Sequence, residues 1–382
     1  MMLQKFSYSQ YKVADRSLLW LIDGLVLENI NLLVGKNATG KTNTLTVIGW
    51  LGNMLAGVQP QLLNAGNYNV EFTYDNVTYQ YKLHLLLQKI EYEELIINGE
   101  LKFKRGNDGK GQISTAQFPD KMKFQLSPNQ LVVTSKRDAI QHPFLEELVR
   151  WAEGQRMYTF GSNMGKDTIF LANDMNNISV DPRDMNSVIG LYLKGEHEFP
   201  QNFKKNIIDS MKSIGYELSS IGVASAPNTL PLIPYTGNIN GLVLYIREEN
   251  SNIDLPQIYM SQGMFRALSL LIQITYNIMS NLSSTIIIDD IGEGLDFERS
   301  TKLIKLLIEL AKKNDNIQLI MSTNDRFVMN NVPLEYWQVI QRKGGECHIY
   351  NYQNSKDIFD EFAYTGLNNF DFLATDFLNP EK

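Results

Sequence analysis

The sequence predicts an α/β protein in which helices flank a mixed sheet, with an antiparallel β lobe and a helical lid inserted between its sheet-forming segments. Three observations support this fold class. Short apolar runs alternate with segments of helical periodicity, as in sheets whose parallel strands are joined by helices. A glycine-rich motif follows the first apolar run, and two adjacent acids follow the second. Between these motifs lies a long stretch of period-two alternation and separate amphipathic segments.

The composition is that of a globular protein, with 43% hydrophobic residues among 382. This length favours two or three domains. The net charge of −7 excludes a globally basic nucleic-acid coat but allows a local basic groove. The single cysteine, Cys347, excludes a disulfide framework and a multi-cysteine zinc site, and we interpret it as structural. Without a membrane-spanning run or a signal peptide in the sequence, we expect a cytoplasmic protein that does not associate with membranes.

Three short apolar runs are predicted to be buried parallel strands, because strands that are apolar on both faces need cover on both faces. They are Ile30 to Val34, Ile286 to Ile288 and Leu319 to Met321. Each run ends at small or polar residues that can face a ligand.

Two turn signals predict the antiparallel β lobe. Period-two alternation surrounds Asp75-Asn76, and a second pair of strands flanks Asn98-Gly99, a dipeptide that favours two-residue hairpins. Amphipathic helices are predicted from Pro143 to Trp151 and from Phe203 to Ile214. A further strand is predicted from Leu242 to Ile246.

A hairpin and an aromatic tail are predicted towards the end of the sequence. Gly344-Gly345 separates Trp337 to Arg342 from Cys347 to Tyr352, which is a third hairpin signal. The acidic segment after Asn354 also contains Phe359, Phe362, Tyr364, Phe370, Phe372 and Phe377. Disordered segments have few aromatic residues, so we expect this tail to dock on the protein surface.

The segment from Gly35 to Thr42 matches the phosphate-loop pattern at every fixed position, between a predicted strand and a predicted helix. Glycines let backbone amides turn inward around phosphate oxygens, and the next helix points its N-terminus at the same anion. Lys41 is predicted to reach the β- and γ-phosphates of ATP, and the Thr42 hydroxyl to bind Mg²⁺. The predicted nucleotide contacts are Gly35, Asn37, Ala38, Thr39, Gly40, Lys41, Thr42 and Asn43. The alternative is a glycine-rich turn that binds nothing.

A second segment, Gly161 to Asp167, has a similar composition. It is one residue short of the pattern and lacks a hydroxyl residue after Lys166. We therefore interpret it as an ordinary loop.

The predicted strand that begins at Thr285 ends in Asp289 and Asp290. Two adjacent carboxylates are costly unless a cation or water meets them. Beside a phosphate loop, Asp289 is predicted to hold Mg²⁺, and Asp290 to orient the water that attacks the γ-phosphate. The second position usually holds Glu, so the shorter Asp290 predicts slow hydrolysis or a differently placed water. Glu293 is an alternative carboxylate for this role.

Met260 to Met264 precede a long apolar helix, which Ser261 is suited to cap and where Gly263 permits a close backbone approach. The two acids follow, and then come Gly294-Leu295-Asp296 and a strand that ends in Ser322 to Asp325. This order of motifs resembles that of ABC-type ATPases. These segments are similar to the signature motif, D-loop and switch region of that family. More narrowly, the chain resembles a soluble branch that includes SMC, RecF and overcoming-lysogenization-defect-like proteins. Stand-alone AAA-family ATP-binding proteins of prokaryotic anti-phage defence systems belong to the same branch.

The resemblance implies a division of the chain into five segments. The first part of the ATPase core spans 1–60, the β lobe 61–135 and the lid 136–254. The second part of the core spans 255–353, and the tail spans 354–382.

The resemblance also implies roles for single residues. Ser261 and Gly263 are expected to bind ATP across a subunit interface, while Gln262 and Met264 depart from the signature pattern. Asn324 occupies the switch position, usually a histidine, and joins Lys41 and Asp290 as an expected catalytic residue. A homodimer or higher oligomer and a separate effector protein are therefore implied. For the glutamine of the Q-loop, the candidate is Gln88.

Three functions remain open. The first is an ATPase subunit that dimerises around ATP and controls an effector in anti-phage defence. The second is a RecF- or SMC-like DNA-repair ATPase, and the third is a nucleotide-held scaffold with negligible turnover. A basic cluster is either a solvated hairpin face or a contact for nucleic acid; its members are Lys102, Lys104, Arg105 and Lys110. All three functions require Lys41 and Asp289 to share one pocket.

Overall fold

The computed structural model describes residues 1–58, 62–63, 65–171, 180–226 and 241–378. It confirms the predicted fold class, because a large mixed sheet is flanked by helices on both faces. The boundaries of the five segments remain predictions.

The strands of the described residues are numbered in chain order. They are Met2–Tyr11 (β1), Leu18–Val26 (β2), Ile30–Val34 (β3), Ala65–Tyr74 (β4), Val77–Leu86 (β5), Lys89–Ile97 (β6), Glu100–Arg105 (β7), Lys110–Ile113 (β8), Met122–Gln125 (β9), Arg156–Thr159 (β10), Phe170–Leu171 (β11), Leu218–Ser225 (β12), Gly241–Glu248 (β13), Leu255–Pro256 (β14), Ser284–Asp289 (β15), Ile317–Ser322 (β16), Trp337–Lys343 (β17) and Glu346–Asn351 (β18).

The α-helices of the described residues are numbered in the same way. They are Lys41–Leu55 (α1), Val132–Ser135 (α2), Glu146–Glu153 (α3), Val188–Glu198 (α4), Phe203–Ser213 (α5), Gln262–Met279 (α6), Phe297–Lys313 (α7), Arg326–Asn331 (α8), Lys356–Tyr364 (α9) and Asp371–Ala374 (α10). In this part of the chain, no helix combines the length and the apolar character that a bilayer crossing requires.

One sheet of fourteen strands has the order β10-β15-β16-β3-β17-β18-β2-β1-β4-β5-β6-β7-β8-β9. The strands β10, β15, β16, β3 and β17 are parallel to one another, so their carboxyl ends lie at one edge. The next strand, β18, is antiparallel to β17 and parallel to β2. From β2 to β9 every pairing is antiparallel. The three predicted apolar runs lie within β3, β15 and β16, which confirms them as buried parallel strands.

The predicted β lobe is present, and its strands extend the main sheet. Asp75-Asn76 joins β4 to β5, and Asn98-Gly99 joins β6 to β7. All four residues have positive φ, between 48° and 81°. Turns of this kind require residues that tolerate left-handed backbone, which is why these dipeptides predicted both hairpins correctly.

Helices cover both faces of the parallel strands. On one face, Leu45, Ile48 and Leu51 of α1 are fully buried in one core cluster, together with Trp151 of α3. On the other face, α6 and α7 are buried in a second cluster together with the tail. The predicted helix at 143–151 is a 3₁₀ turn followed by α3, and the one at 203–214 is α5.

A small second sheet, β11-β13-β12 with β14 paired to β13, packs with α4 and α5 over α6. The strand predicted at 242–246 lies within β13. The hairpin predicted around Gly344-Gly345 is formed by β17 and β18.

The aromatic tail docks on the sheet as predicted. Phe359, Phe362 and Phe372 are at most 1% exposed, and their rings contact one another. Full burial of a phenylalanine side chain contributes roughly 1.5–3 kcal/mol, so these three hold α9 and α10 firmly in place. Tyr364 differs from its aromatic neighbours, because it is 92% exposed.

The predicted basic cluster is wrong at Arg105. This side chain is only 1% exposed, and its guanidinium donates to the backbone carbonyls of Gln130 and Ser127. It lies near Glu93, whose carboxylate accepts a hydrogen bond from Tyr81; burial raises the pKa of Glu93 to about 7. Arg105 therefore helps to attach the chain after β9 to the sheet and is not available to a partner.

Candidate functional site

The phosphate loop connects β3 to α1, as the sequence predicts. Gly40 caps α1 with a φ of 105°, which strongly favours glycine. At Gly35 a Cβ atom would lie 2.6 Å from the carbonyl oxygen of Ile340, so the close approach of β17 also requires glycine there. Buried Cys347 donates its thiol to the carbonyl of Thr39 at 3.2 Å, consistent with a structural cysteine.

Lys41 is held inside this loop and is only 6% exposed. Its ammonium donates to the carbonyl oxygens of Gly35 and Lys36, at 2.8 and 3.2 Å. Burial lowers the pKa of Lys41, and the charges of Asp290 and Asp289 offset part of this effect. An ammonium has three N–H bonds, so one remains for a phosphate oxygen.

Asp289 lies beside the loop, and the predicted proximity of the two motifs is confirmed. Its carboxylate is 3% exposed and accepts hydrogen bonds from Thr42 at 3.2 Å and from Ser322 at 2.5 Å. The contacts arise because β3, β16 and β15 are adjacent parallel strands. A hydroxyl and a carboxylate are hard oxygen ligands, which suit Mg²⁺. Among the described residues there is no larger cluster of metal-ligating side chains.

Asp290 extends towards the switch position. Its Oδ1 accepts a hydrogen bond from Asn324 Nδ2 at 3.1 Å, and its backbone N–H donates to the Ser322 hydroxyl at 3.0 Å. Its φ of 55° lies in the left-handed region. Burial, with smaller contributions from the charges of Asp289 and Glu293, raises the pKa of Asp290. Such a perturbed carboxyl beside a phosphate loop is a candidate for orienting water.

Ser322 was missed by the sequence analysis as a site residue. Its hydroxyl donates to Asp289 and accepts from the backbone of Asp290, so it fixes both acids. The available signal was its position at the end of a buried parallel strand, where polar residues face the ligand edge.

The signature-like segment forms the start of α6. Ser261 caps the helix by accepting a hydrogen bond from the backbone N–H of Met264 at 3.2 Å, as predicted. At Gly263 a Cβ atom would lie 2.4 Å from the carbonyl oxygen of Gly294, so the predicted close backbone approach is confirmed. Within the described residues, neither Ser261 nor Gly263 forms a hydrogen bond to the phosphate loop of the same chain.

Arg266, one turn into α6, joins this helix to both neighbouring loops. It is 8% exposed and donates to the carbonyls of Gly161, Ser162 and Glu293. The first two belong to the segment that resembles a phosphate loop, which is a loop as predicted. This loop follows β10 and therefore lies beside Asp289 at the ligand edge.

Gln88 does not lie at the site. It is in the turn between β5 and β6, and β17, β18, β2, β1 and β4 separate β5 from β3. With neighbouring strands about 4.8 Å apart, that places Gln88 roughly 30 Å across the sheet from the phosphate loop. The Q-loop interpretation of this residue is therefore wrong.

The fold and the pocket together define a P-loop protein with a candidate nucleotide site beside parallel strands. A family model described as "AAA domain, putative AbiEii toxin, Type IV TA system" matches residues 30–330, and the chain belongs to this family. No curated protein matches the sequence.

Solved structures with the same fold include an SMC head bound to the C-terminal winged-helix domain of ScpA. It is 13% identical, with a TM-score of 0.54 over 92% of this chain and 97% of that one. An SMC head from Pyrococcus furiosus, bound to the C-terminal domain of ScpA, is 11% identical, with a TM-score of 0.49 over 94% of this chain and 99% of that one. The recombination mediator RecF is 10% identical, with a TM-score of 0.44 over 91% and 98%. The likeness to the first of these structures concerns the fold alone.

A substitution at Gly263 tests the contact between α6 and the segment after Asp290. We expect Gly263→Ala to lower the free energy of unfolding by about 1–3 kcal/mol, because the added methyl group meets backbone that cannot rotate away. Urea denaturation measures the change. The matched control is Gly106→Ala, where the nearest atom to a Cβ, on Asp108, is 3.8 Å away. Equal stability of both variants would contradict the proposed packing role of Gly263.

The raised pKa of Asp290 predicts that this residue destabilises the fold. The pKa is higher in the folded than in the unfolded chain, so stability falls as pH rises through the interval between the two values. Asp290→Asn is therefore expected to raise Tm at neutral pH, while keeping an oxygen for Asn324. The gain should shrink as the pH falls through the folded-state pKa.

Calorimetry over a pH series measures this effect, with Asp209→Asn on the exposed side of α5 as the control for loss of one negative charge. A Tm for Asp290→Asn below that of the unaltered protein at neutral pH would show that the ionised carboxylate is stabilising.

Proposed function

We propose that this chain binds MgATP between the phosphate loop and the carboxyl ends of β15 and β16, hydrolyses it slowly, and dimerises around it. The observation that carries the proposal is the 3.2 Å contact between Thr42 Oγ1 and Asp289 Oδ1. It joins two candidate Mg²⁺ ligands that are 247 residues apart in the sequence.

The residues of the pocket have different roles in phosphoryl transfer to water. Backbone amides of Gly35 to Thr42 and the Lys41 ammonium bind the phosphates. Thr42 and Asp289 would hold Mg²⁺, which supplies positive charge against the β- and γ-phosphate oxygens. Asp290 accepts a hydrogen bond from the attacking water and orients it, while Asn324 fixes the carboxylate through the 3.1 Å hydrogen bond.

Slow turnover follows from the two departures at this end of the pocket. The Asp290 side chain is shorter than Glu, and one of its oxygens is already engaged by Asn324. An amide at position 324 donates a hydrogen bond but cannot become positively charged, so it gives less stabilisation to a developing negative charge than a protonated histidine. The scaffold with negligible turnover is the limiting case of this arrangement.

Dimerisation is supported by the surface around the start of α6. Ser261 is exposed, and the N-terminus of this 18-residue helix favours a negatively charged group. Tyr259 and Phe297, near Ser261 and the D-loop segment, are 61% and 62% exposed. Exposed aromatic residues favour a protein contact. We infer that a second copy places its Ser261 and Gly263 against the γ-phosphate bound by the first.

A separate effector protein is part of the proposal. The family description names a putative toxin of a type IV TA system, which is in keeping with a regulatory ATPase of anti-phage defence. In the described residues, the core, lid and tail account for the chain without a second catalytic pocket that we can assign. We therefore propose that ATP controls the effector through assembly, in the cytoplasm.

A second candidate function, a RecF- or SMC-like ATPase that binds nucleic acid, is favoured by one surface. Lys102 and Lys104 alternate with the inward-facing Phe103, so they lie on the solvent side of β7. Lys104 pairs with Gln112 of β8, which in turn pairs with Lys123 of β9. This lysine face is defined by Lys102, Lys104, Lys110 and Lys123. Lys102 and Lys110 form ion pairs with Glu100 and Asp108, so Lys104 and Lys123 are the main charges that it offers to a phosphate backbone.

ATP-dependent dimerisation tests the first proposal. Asp290→Asn should form a stable dimer with MgATP, because the γ-phosphate is retained, whereas Lys41→Ala should stay monomeric because it lacks the ammonium that binds the phosphates. Analytical ultracentrifugation with and without MgATP measures both, and Lys89→Ala, exposed at the start of β6, is the control. Identical sedimentation of Asp290→Asn in the two conditions would refute an ATP-held dimer.

Salt-dependent binding tests the second candidate. If the lysine face binds phosphates, the affinity for duplex DNA should fall with salt. Lys104→Gln with Lys123→Gln should then reduce the slope of log K against log[salt] by about 0.9 for each phosphate that a lysine no longer neutralises. Fluorescence anisotropy measures the slope. The matched control replaces two exposed lysines elsewhere, Lys205 and Lys305, with Gln. Equal slopes in the two double variants would show that the lysine face is in contact with solvent only and does not bind DNA.

A further inference from the structure

The end of the aromatic tail lies against the phosphate loop. Asp376 Oδ2 is 3.5 Å from the ammonium of Lys36, the second residue of the loop. A cavity of about 210 Å³ lies between the phosphate loop and the tail. Its lining includes Gly35 and Thr39 from the loop and Phe372 and Leu373 from the tail. The tail therefore reaches the nucleotide site from the sheet face opposite α1.

Lys36 connects this contact directly to the loop lysine. Its backbone carbonyl accepts hydrogen bonds from the Lys41 ammonium at 3.2 Å and from the Thr39 hydroxyl at 2.8 Å. A shift of Lys36 caused by its side chain would thus move an acceptor of Lys41.

The other end of the tail segment is attached to the helix that follows the switch position. The backbone N–H of Phe370 donates to Asn330 Oδ1 at 2.8 Å, and Asn369 Nδ2 donates to the carbonyl of Val332 at 2.8 Å. Asn330 belongs to α8, which begins two residues after Asn324. The tail therefore bridges the two sides of the pocket.

The backbone at Asp376 is in the left-handed conformation that ends α10. Asp376 has a φ of 51° two residues after the last residue of this helix, and the paired hydrogen bonds of a Schellman ending are present, Phe377 to Phe372 and Asp376 to Leu373. Glycine is preferred at this left-handed position. α9 of the same tail ends with Gly366 at φ 70°. Aspartate tolerates this conformation better than most non-glycine residues, and here its carboxylate reaches Lys36.

We propose that the last turn of the tail, residues 375–378, is an autoinhibitory clasp on the phosphate loop. Docked, it engages the Lys36 side chain and adds a carboxylate beside the loop that receives the triphosphate. Negative charge near the site opposes the binding of a negatively charged ligand, so clasp docking and MgATP binding weaken each other by the same factor. The proposal rests on the proposed MgATP site.

Two measurements test the clasp together: the affinity for MgATP and the rate of amide hydrogen exchange in the tail. Asp376→Asn should bind MgATP more tightly, by up to about five-fold, since the contact is a solvent-exposed ion pair. The gain should shrink at high salt, which screens exposed charges. Calorimetric titration measures affinity. Reciprocally, MgATP should speed amide hydrogen exchange of residues 375–378 in the unaltered protein while the rest of the tail stays protected.

Two further variants separate the clasp from a purely structural role. Asp376→Gly removes the carboxylate but suits the left-handed backbone, so Tm should be unchanged or higher while MgATP affinity rises as in Asp376→Asn. Asp357→Asn removes a charge from the exposed first turn of α9 and should change neither. Weaker or unchanged MgATP binding by Asp376→Asn, with normal binding by the unaltered chain, would overturn the clasp alone. Absence of MgATP binding to the unaltered chain would overturn the proposed function as well.

Discussion

The geometry of the candidate nucleotide site depends on one buried carboxylate, that of Asp289, where three parallel strands lie side by side. Its hydrogen-bond partners are the hydroxyls of Thr42 and Ser322, which are uncharged. A buried carboxylate is costly unless nearby positive charge compensates it, and the Lys41 ammonium is close enough to interact with its charge. The pairing of β15 with β16, and of β16 with β3, sets the distances, and the phosphate loop and the switch asparagine take their positions from those strands.

Features encoded by neighbouring residues were predictable from the sequence. The phosphate loop, the two tight hairpins and the Ser261 cap depend on local backbone chemistry, and all four are present. The strand β10 was missed because it is only four residues long and begins with Arg156, which is 2% exposed. Its guanidinium donates from one nitrogen to the carbonyls of Glu153 and Gln155, a backbone arrangement that no pattern of residue types indicates.

The candidate site was predictable where its residues occupy strand ends, and not where they act through distant backbone. Lys41 and Asp289 meet because parallel strands expose their carboxyl ends together. Arg266 could not be found in this way, since its acceptors belong to loops far from it in the sequence. Charge alone does not show which face of a strand a residue occupies, so the predicted basic cluster wrongly includes Arg105. This residue alternates with Lys104 and therefore shares the inner face with Phe103.

Because the fourteen-stranded sheet is continuous, a rotation at its centre would displace the outer antiparallel strands. The strands of the two halves meet where β18 runs beside β2, with three paired positions. From β2 to the outer edge at β9 there are seven strand steps, or about 34 Å at 4.8 Å a step. A rotation of about 5° at that junction would carry β9 through roughly 3 Å by the same spacing. Small rearrangements at the phosphate loop would thus produce larger displacements at β9, because the two halves of the sheet are joined by paired strands and not by a flexible linker.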